Sequence, residues 1–109
     1  MVYDEGLAER IRERLGADPA VTEKKMFGGL AFLHEGNMAV GVVGDELIVR
    51  VGSDATATAL ARPDTRAFDL TGRPMRGWVV VGTSGIAEDA ALDTWIEAGR
   101  TYAASLPPK

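Results

Sequence analysis

The chain is expected to fold as an α+β, two-layer domain, with an antiparallel sheet and helices packed on it. Three observations carry that expectation. An amphipathic repeat occupies the N-terminal segment, glycine-broken β-branched runs fill the middle, and a longer helical stripe closes the chain. The predicted order is one helix, three or four strands, a second helix, two strands and a third helix.

In residues 4–15, Leu7, Ile11 and Leu15 recur every four positions. Glu9, Arg10, Arg12, Glu13 and Arg14 take the remaining faces, as a half-buried helix requires. Asp4 is suited to cap the free N–H groups at its start and Gly16 to stop it. Asp18-Pro19 then turns the chain, because the residue before proline is pushed out of the helical region.

From residue 21 to 51 short apolar runs alternate with turn residues, the pattern of consecutive strands. The first covers 22–27. Residues 30–33 form either a second strand or its continuation past a Gly28-Gly29 kink, and 38–43 and 47–51 complete the series. Glu35-Gly36-Asn37 and Gly44-Asp45-Glu46 are short links in which glycine and asparagine tolerate positive φ, so hairpins are expected.

Gly52-Ser53-Asp54 opens the second helix, with Ser53 placed to cap it, and Arg62-Pro63 closes it. Its interior of Ala and Thr has little bulk, which suits close packing on the sheet. Phe68 and Leu70 mark a further strand, Gly72-Arg73-Pro74 a turn, and the β-branched run at 77–81 the last strand. The final helix covers 88–105, where Leu92, Trp95, Ile96, Gly99, Tyr102, Ala103 and Leu106 trace one stripe.

Composition narrows the chemistry. The 109 residues carry a formal charge of −4, which disfavours phosphate backbones as partners. The charge is uneven: residues 1–19 sum to −2, 20–80 to zero and 81–109 to −2, so basic patches belong to the middle. No cysteine is present, so disulfides, thiolate metal sites and a cysteine nucleophile are excluded. The opening residues carry acids where a signal peptide carries bases, and no apolar run approaches the ~18 residues needed to cross a bilayer. A soluble, cytoplasmic protein is expected.

His34 is the only histidine, which leaves a triad one possible base and a multi-histidine metal site none. It is read as a strand-end or turn residue. Gly72 and Gly77 have P-loop spacing, but no Lys-Ser/Thr follows and Trp78 begins a strand rather than a helix. Gly28-Gly29 lacks the strand-to-helix context of a dinucleotide fingerprint and is read as a bulge or close backbone approach. No catalytic residue, metal ligand or cofactor site is assigned.

Two segments remain as candidate surface. In Lys24-Lys25-Met26-Phe27 charge and apolar bulk alternate along a strand, so one set faces inward and the other out. Met26 and Phe27 are read as packing residues. Arg73-Pro74-Met75-Arg76-Gly77-Trp78 combines guanidinium, thioether and indole groups, the types enriched at recognition surfaces. Lys24, Lys25, Arg73, Met75, Arg76 and Trp78 are therefore the candidate interaction residues.

The run from Lys24 to Phe32, Gly36-Asn37-Met38, Leu47-Ile48-Val49-Arg50-Val51, Arg73-Pro74-Met75-Arg76-Gly77-Trp78 and Ser105-Leu106-Pro107-Pro108-Lys109 together resemble the TfoX/Sxy N-terminal domain family. The resemblance covers nearly the whole of residues 1–109, as one such domain. It implies a two-layer architecture similar to secretion chaperones and, in longer members, regulation of natural competence and transcription. Those members carry a helical C-terminal domain after this one; this sequence stops at Lys109. The resemblance supplies no catalytic set.

Three functional readings follow. The first is a non-enzymatic regulatory or adaptor module that binds an unidentified protein through a sheet face or edge. The second is weak nucleic-acid binding through the central bases, and the third a small-molecule site between sheet and helices near Trp78 or Trp95. A homodimer is expected separately, from the small domain and its broad sheet.

Overall fold

The computed structural model describes residues 3–26, 28–69 and 72–108. The elements in chain order are α1 (Glu5–Leu15), β1 (Val21–Met26), β2 (Gly29–His34), β3 (Asn37–Val43) and β4 (Glu46–Arg50). They continue with α2 (Thr56–Leu60), β5 (Thr65–Asp69), β6 (Pro74–Val81) and α3 (Asp89–Ala104). The strands form one antiparallel sheet in the order β1-β2-β3-β4-β6-β5. This is the expected α+β arrangement, with four strands before the second helix and two after it.

Local chemistry explains most boundaries. The Asp4 carboxylate accepts hydrogen bonds from the Gly6 and Leu7 backbone N–H groups at 2.8 and 3.3 Å, so it caps α1 as expected. Gly16 follows the helix in right-handed geometry, φ −63°, and ends it without a left-handed turn. The Gly28-Gly29 question resolves into a hairpin: Met26 pairs with Gly29, and Gly28 supplies φ +73° to the link. Phe27 lies outside the described residues. A Cβ on Gly29 would run into the Val42 carbonyl, so the close backbone approach expected there is present.

The second helix departs from expectation. A 3-10 turn, Ser53–Ala55, precedes a single α-helical turn and a half, and the Ser53 side chain makes no capping bond. Gly52 occupies the N-cap at φ +88°, and the Thr56 hydroxyl donates back to the Gly52 carbonyl at 2.8 Å. Only Ala59 in α2 is buried, because an Ala/Thr segment offers little apolar area to hold it down. Of the strand residues at 68 and 70, Phe68 lies in β5 and Leu70 lies outside the described residues. Strand β6 starts at Pro74, three residues earlier than expected and inside the anticipated turn. Glu88 caps α3 by position rather than sitting in its first turn.

The sheet has two unlike faces. On one, Leu30, Phe32, Val40, Val42, Leu47, Val49, Val79 and Val81 meet side chains from all three helices, including Leu7 and Ile11 of α1 and Leu92, Trp95 and Ile96 of α3. Gly99 lets α3 lie against β3, since a Cβ there would come within 2.9 Å of Val40 Cγ1. The opposite face carries a second cluster built by strands alone: Ala31, Met38, Ile48, Phe68 and Val80, with Met26, Leu33, Val43, Met75 and Trp78 packed around them. Alternation along the strands produces both sets, interrupted in β3 by a bulge between Met38 and Val40, which face opposite sides, and in β6 near Gly77. Among the described residues, no helix is long and apolar enough to cross a membrane.

Candidate interaction surface

Register decides what each candidate residue can reach. Lys24 pairs with Ala31 of the strand-only cluster, whereas Lys25 pairs with Leu30 on the helix-bearing face. The two lysines are therefore on opposite sides of the sheet. The expectation that β1 divides into an inward and an outward set is corrected here: residues 22–25 are all exposed. β1 is the edge strand of the sheet, so little packs on its middle, while Val21 and Met26 at its ends join the two clusters and Glu23 meets Arg12 of α1.

Strict alternation would put Met75 and Trp78 on opposite faces, yet both pack against the strand-only cluster. Gly77 lies between them at φ +97° and absorbs the extra residue. Its carbonyl accepts from both Val51 and Gly52 N–H groups, at 2.8 and 3.1 Å, which holds this irregularity against the end of β4. Its own N–H donates to the Thr56 hydroxyl at 2.9 Å.

Trp78 is the centre of an aromatic and cationic group. Its ring lies 6.1 Å from Phe68 at a 50° tilt, and the Arg50 guanidinium is 5.2 Å from its centroid. Arg50 is also 5.4 Å from the Tyr102 ring, so two aromatic faces hold one cation without a carboxylate. A groove of about 430 Å³ runs alongside, lined by Lys24, Met26, Leu33, Gly36, Met38, Arg50 and Trp78. Among the described residues, two cations and no carboxylate line it.

β1 and β6 are separated by three strands, about 19 Å on a flat sheet at the usual strand spacing. Lys24 and Trp78 border one groove because both are long side chains on a sheet that does not lie flat. Arg73 in the β5–β6 turn and Arg76 in β6 are exposed but do not line it. The groove thus brings together Lys24 and Trp78, packs Met75 on the same cluster, and leaves Lys25, Arg73 and Arg76 elsewhere. Arg50 was not singled out from sequence. Its neighbours are Trp78, by strand pairing, and Tyr102, from α3, and no local motif announces either.

Among the described residues, five other arginines are paired with acids. Arg10 and Arg14 reach Asp89, Arg14 also binds Asp93, Arg12 bonds Glu9 and Glu23, Arg66 binds Glu46 with two bonds, and Arg100 meets Asp18. Glu23 and Glu46 are held below the usual carboxylate range, first by the guanidinium hydrogen bonds they accept. Asp18 is lowered first by the Ala20 N–H and then by Arg100. Among the described residues, Lys24, Lys25, Arg50, Arg62, Arg73 and Arg76 form no ion pair.

His34 is at a strand end, as expected. Its Nδ1 is buried without a hydrogen-bond partner among the described residues and lies 3.9 Å from Asp18 Oδ2, an oxygen that Arg100 already occupies. Among the described residues, no three His, Asp or Glu side chains converge to hold a metal ion.

Comparison with known proteins finds no match among curated proteins or solved structures. The pattern of the TfoX N-terminal domain, however, matches residues 13–103, from the last turn of α1 to the end of α3. By that match, which takes in all six strands and the whole groove, the chain belongs to the TfoX N-terminal domain family.

Proposed function

We propose that this protein is a non-enzymatic regulatory or adaptor module that acts in the cytoplasm by docking a protein segment on the helix-free face of its sheet. One observation carries the reading. The groove beside Trp78 has an apolar, thioether-rich floor and two cations, Lys24 and Arg50, with no acid lining it. Methionine adapts its shape to a partner, and aromatic and arginine groups dominate recognition surfaces. The complementary occupant is a segment of apolar residues flanked by carboxylates. Resemblance to competence regulators supports a regulatory context for that partner.

Lys24, Arg50 and Trp78 also supply the cation and aromatic types that bind single-stranded nucleic acid. The chain's −4 charge and the aliphatic floor weigh against it. The test passes native lysate over immobilised parent and Lys24→Glu/Met75→Glu proteins, with and without nuclease. Stoichiometric retention of a protein by the parent that survives nuclease, and is at least about tenfold weaker in the variant, is expected from loss of a charge pair at the groove. Retention that vanishes with nuclease would transfer the role to nucleic acid. Equal retention by both proteins would remove this face from it. Circular dichroism melting confirms that the variant is folded.

A further inference from the structure

A second concavity lies on the other side of the molecule, between the Ser53–Leu60 segment and α3, with a volume of about 860 Å³. That size is typical of small-molecule sites. Ala55, Thr58 and Ala59 form one wall, and Ala98 and Thr101 the other, with Trp95 and Tyr102 beneath. The small walls explain why two helices packed on the same sheet leave a trough between them.

Three charged side chains also line the trough: Arg62, Asp93 and Glu97. Each acid has an arginine neighbour, although Arg100 is shared with Asp18. Asp93 is bound by Arg14, and Glu97 lies 3.7 Å from Arg100. Arg62 has no carboxylate among the described residues. Its guanidinium lies 3.9 Å over the Trp95 ring. Stacking occupies the flat face of a guanidinium and leaves its N–H edge, the side that recognises carboxylates, available. The trough therefore presents one cation without an ion pair among the described residues, held against Trp95 beside a largely apolar, open depression.

We propose that this trough binds an amphipathic organic anion: a single carboxylate on the Arg62 edge and an apolar chain or ring laid between α2 and α3 over Ala59, Ala98 and Trp95. This site is separate from the groove beside Trp78, and either can fail without the other.

The test titrates decanoate, below its aggregation range, into a Trp78→Phe protein in which Trp95 is the sole indole, following its fluorescence. Amide resonances of the parent protein are followed in parallel. Decanol and decyltrimethylammonium serve as neutral and cationic counterparts. Saturable decanoate binding is expected, with resonance shifts at Thr58, Ala98 and Thr101 rather than at Lys24 and Met38. Arg62→Gln is expected to weaken decanoate at least about tenfold, as loss of a charge-assisted pair does, and to leave decanol unchanged. Because Arg62 also covers Trp95, a second variant fills the trough instead: Thr58→Phe, at an exposed position, is expected to abolish binding of both. Absence of saturable decanoate binding would overturn the proposal. So would a cation that binds as tightly as the anion, an Arg62→Gln protein with unchanged decanoate affinity, or shifts confined to the strand face.

Discussion

Arg12 and Arg66 each hold a carboxylate from a distant part of the chain, Glu23 at 2.7 Å and Glu46 at 2.5 Å. Both glutamates are lowered in the fold, so their contribution is fully present above the ordinary glutamate value of about 4.3. It is lost as pH falls through the lowered folded values. The pairs are partly exposed, and such pairs contribute about 0.2–1 kcal/mol each. A Glu23→Gln/Glu46→Gln protein is therefore expected to melt slightly below the parent at pH 7 and to lose less stability between pH 5 and 3. Melting at several pH values checks this, and an identical acid loss in the two proteins would contradict it. Legibility at this scale follows sequence distance. Asp4 as a cap is written in the next three residues, and the separation of Lys24 from Lys25 follows from strand alternation. Arg50 between Trp78 and Tyr102 is not legible, because its neighbours lie 28 and 52 positions away.

Among the elements, α3 shows how an apolar stripe becomes a packing position. Leu92, Trp95, Ile96, Gly99 and Ala103 are all buried, as their spacing predicts. Gly99 is unusual in that role, since glycine in a helix interior costs about 1 kcal/mol relative to alanine. Its position is explained by the Ala39 carbonyl and Val40 side chain lying directly against it. Gly99→Ala is thus expected to destabilise the fold by about 1–3 kcal/mol despite the better helix propensity, because the backbone of β3 must move. Leu92→Ala, at a fully buried position, is expected to cost about 2–5 kcal/mol through a cavity. Urea unfolding measures both, and a stabilised Gly99→Ala protein would contradict the close packing of α3 on β3. The extent of α2 was less legible than that of α1 or α3. An Ala/Thr segment has neither a strong stripe nor a bulky anchor, and its start is set by Gly52 under Tyr102, a contact from far along the chain.

Over the whole molecule, two consequences follow from placing every helix on one side of the sheet. The helix-bearing face forms the main core, while the other keeps an apolar cluster of strand residues that includes Met26, Met38 and Met75. The element order and antiparallel pairing of neighbours were legible because short glycine-containing links leave hairpins as the economical connection. The placement of β6 between β4 and β5 was not, since it depends on where α2 returns the chain to the sheet. The groove inherits that uncertainty, because Trp78 reaches Arg50 only through the β4–β6 pairing. Charge shows the same division: most arginines on the helix-bearing side are paired with acids, while Lys24 and Arg50 beside the groove are not.

The most direct test of this face as the docking surface is photo-crosslinking in cells. A benzophenone side chain is placed at Met75, on the strand-only cluster, and, as a control, at Glu13, on the exposed side of α1. A protein adduct is expected at position 75 that survives nuclease, is absent at position 13 and is lost when Lys24→Glu is added. Equal adducts at both positions, or nucleic acid alone at position 75, would contradict it.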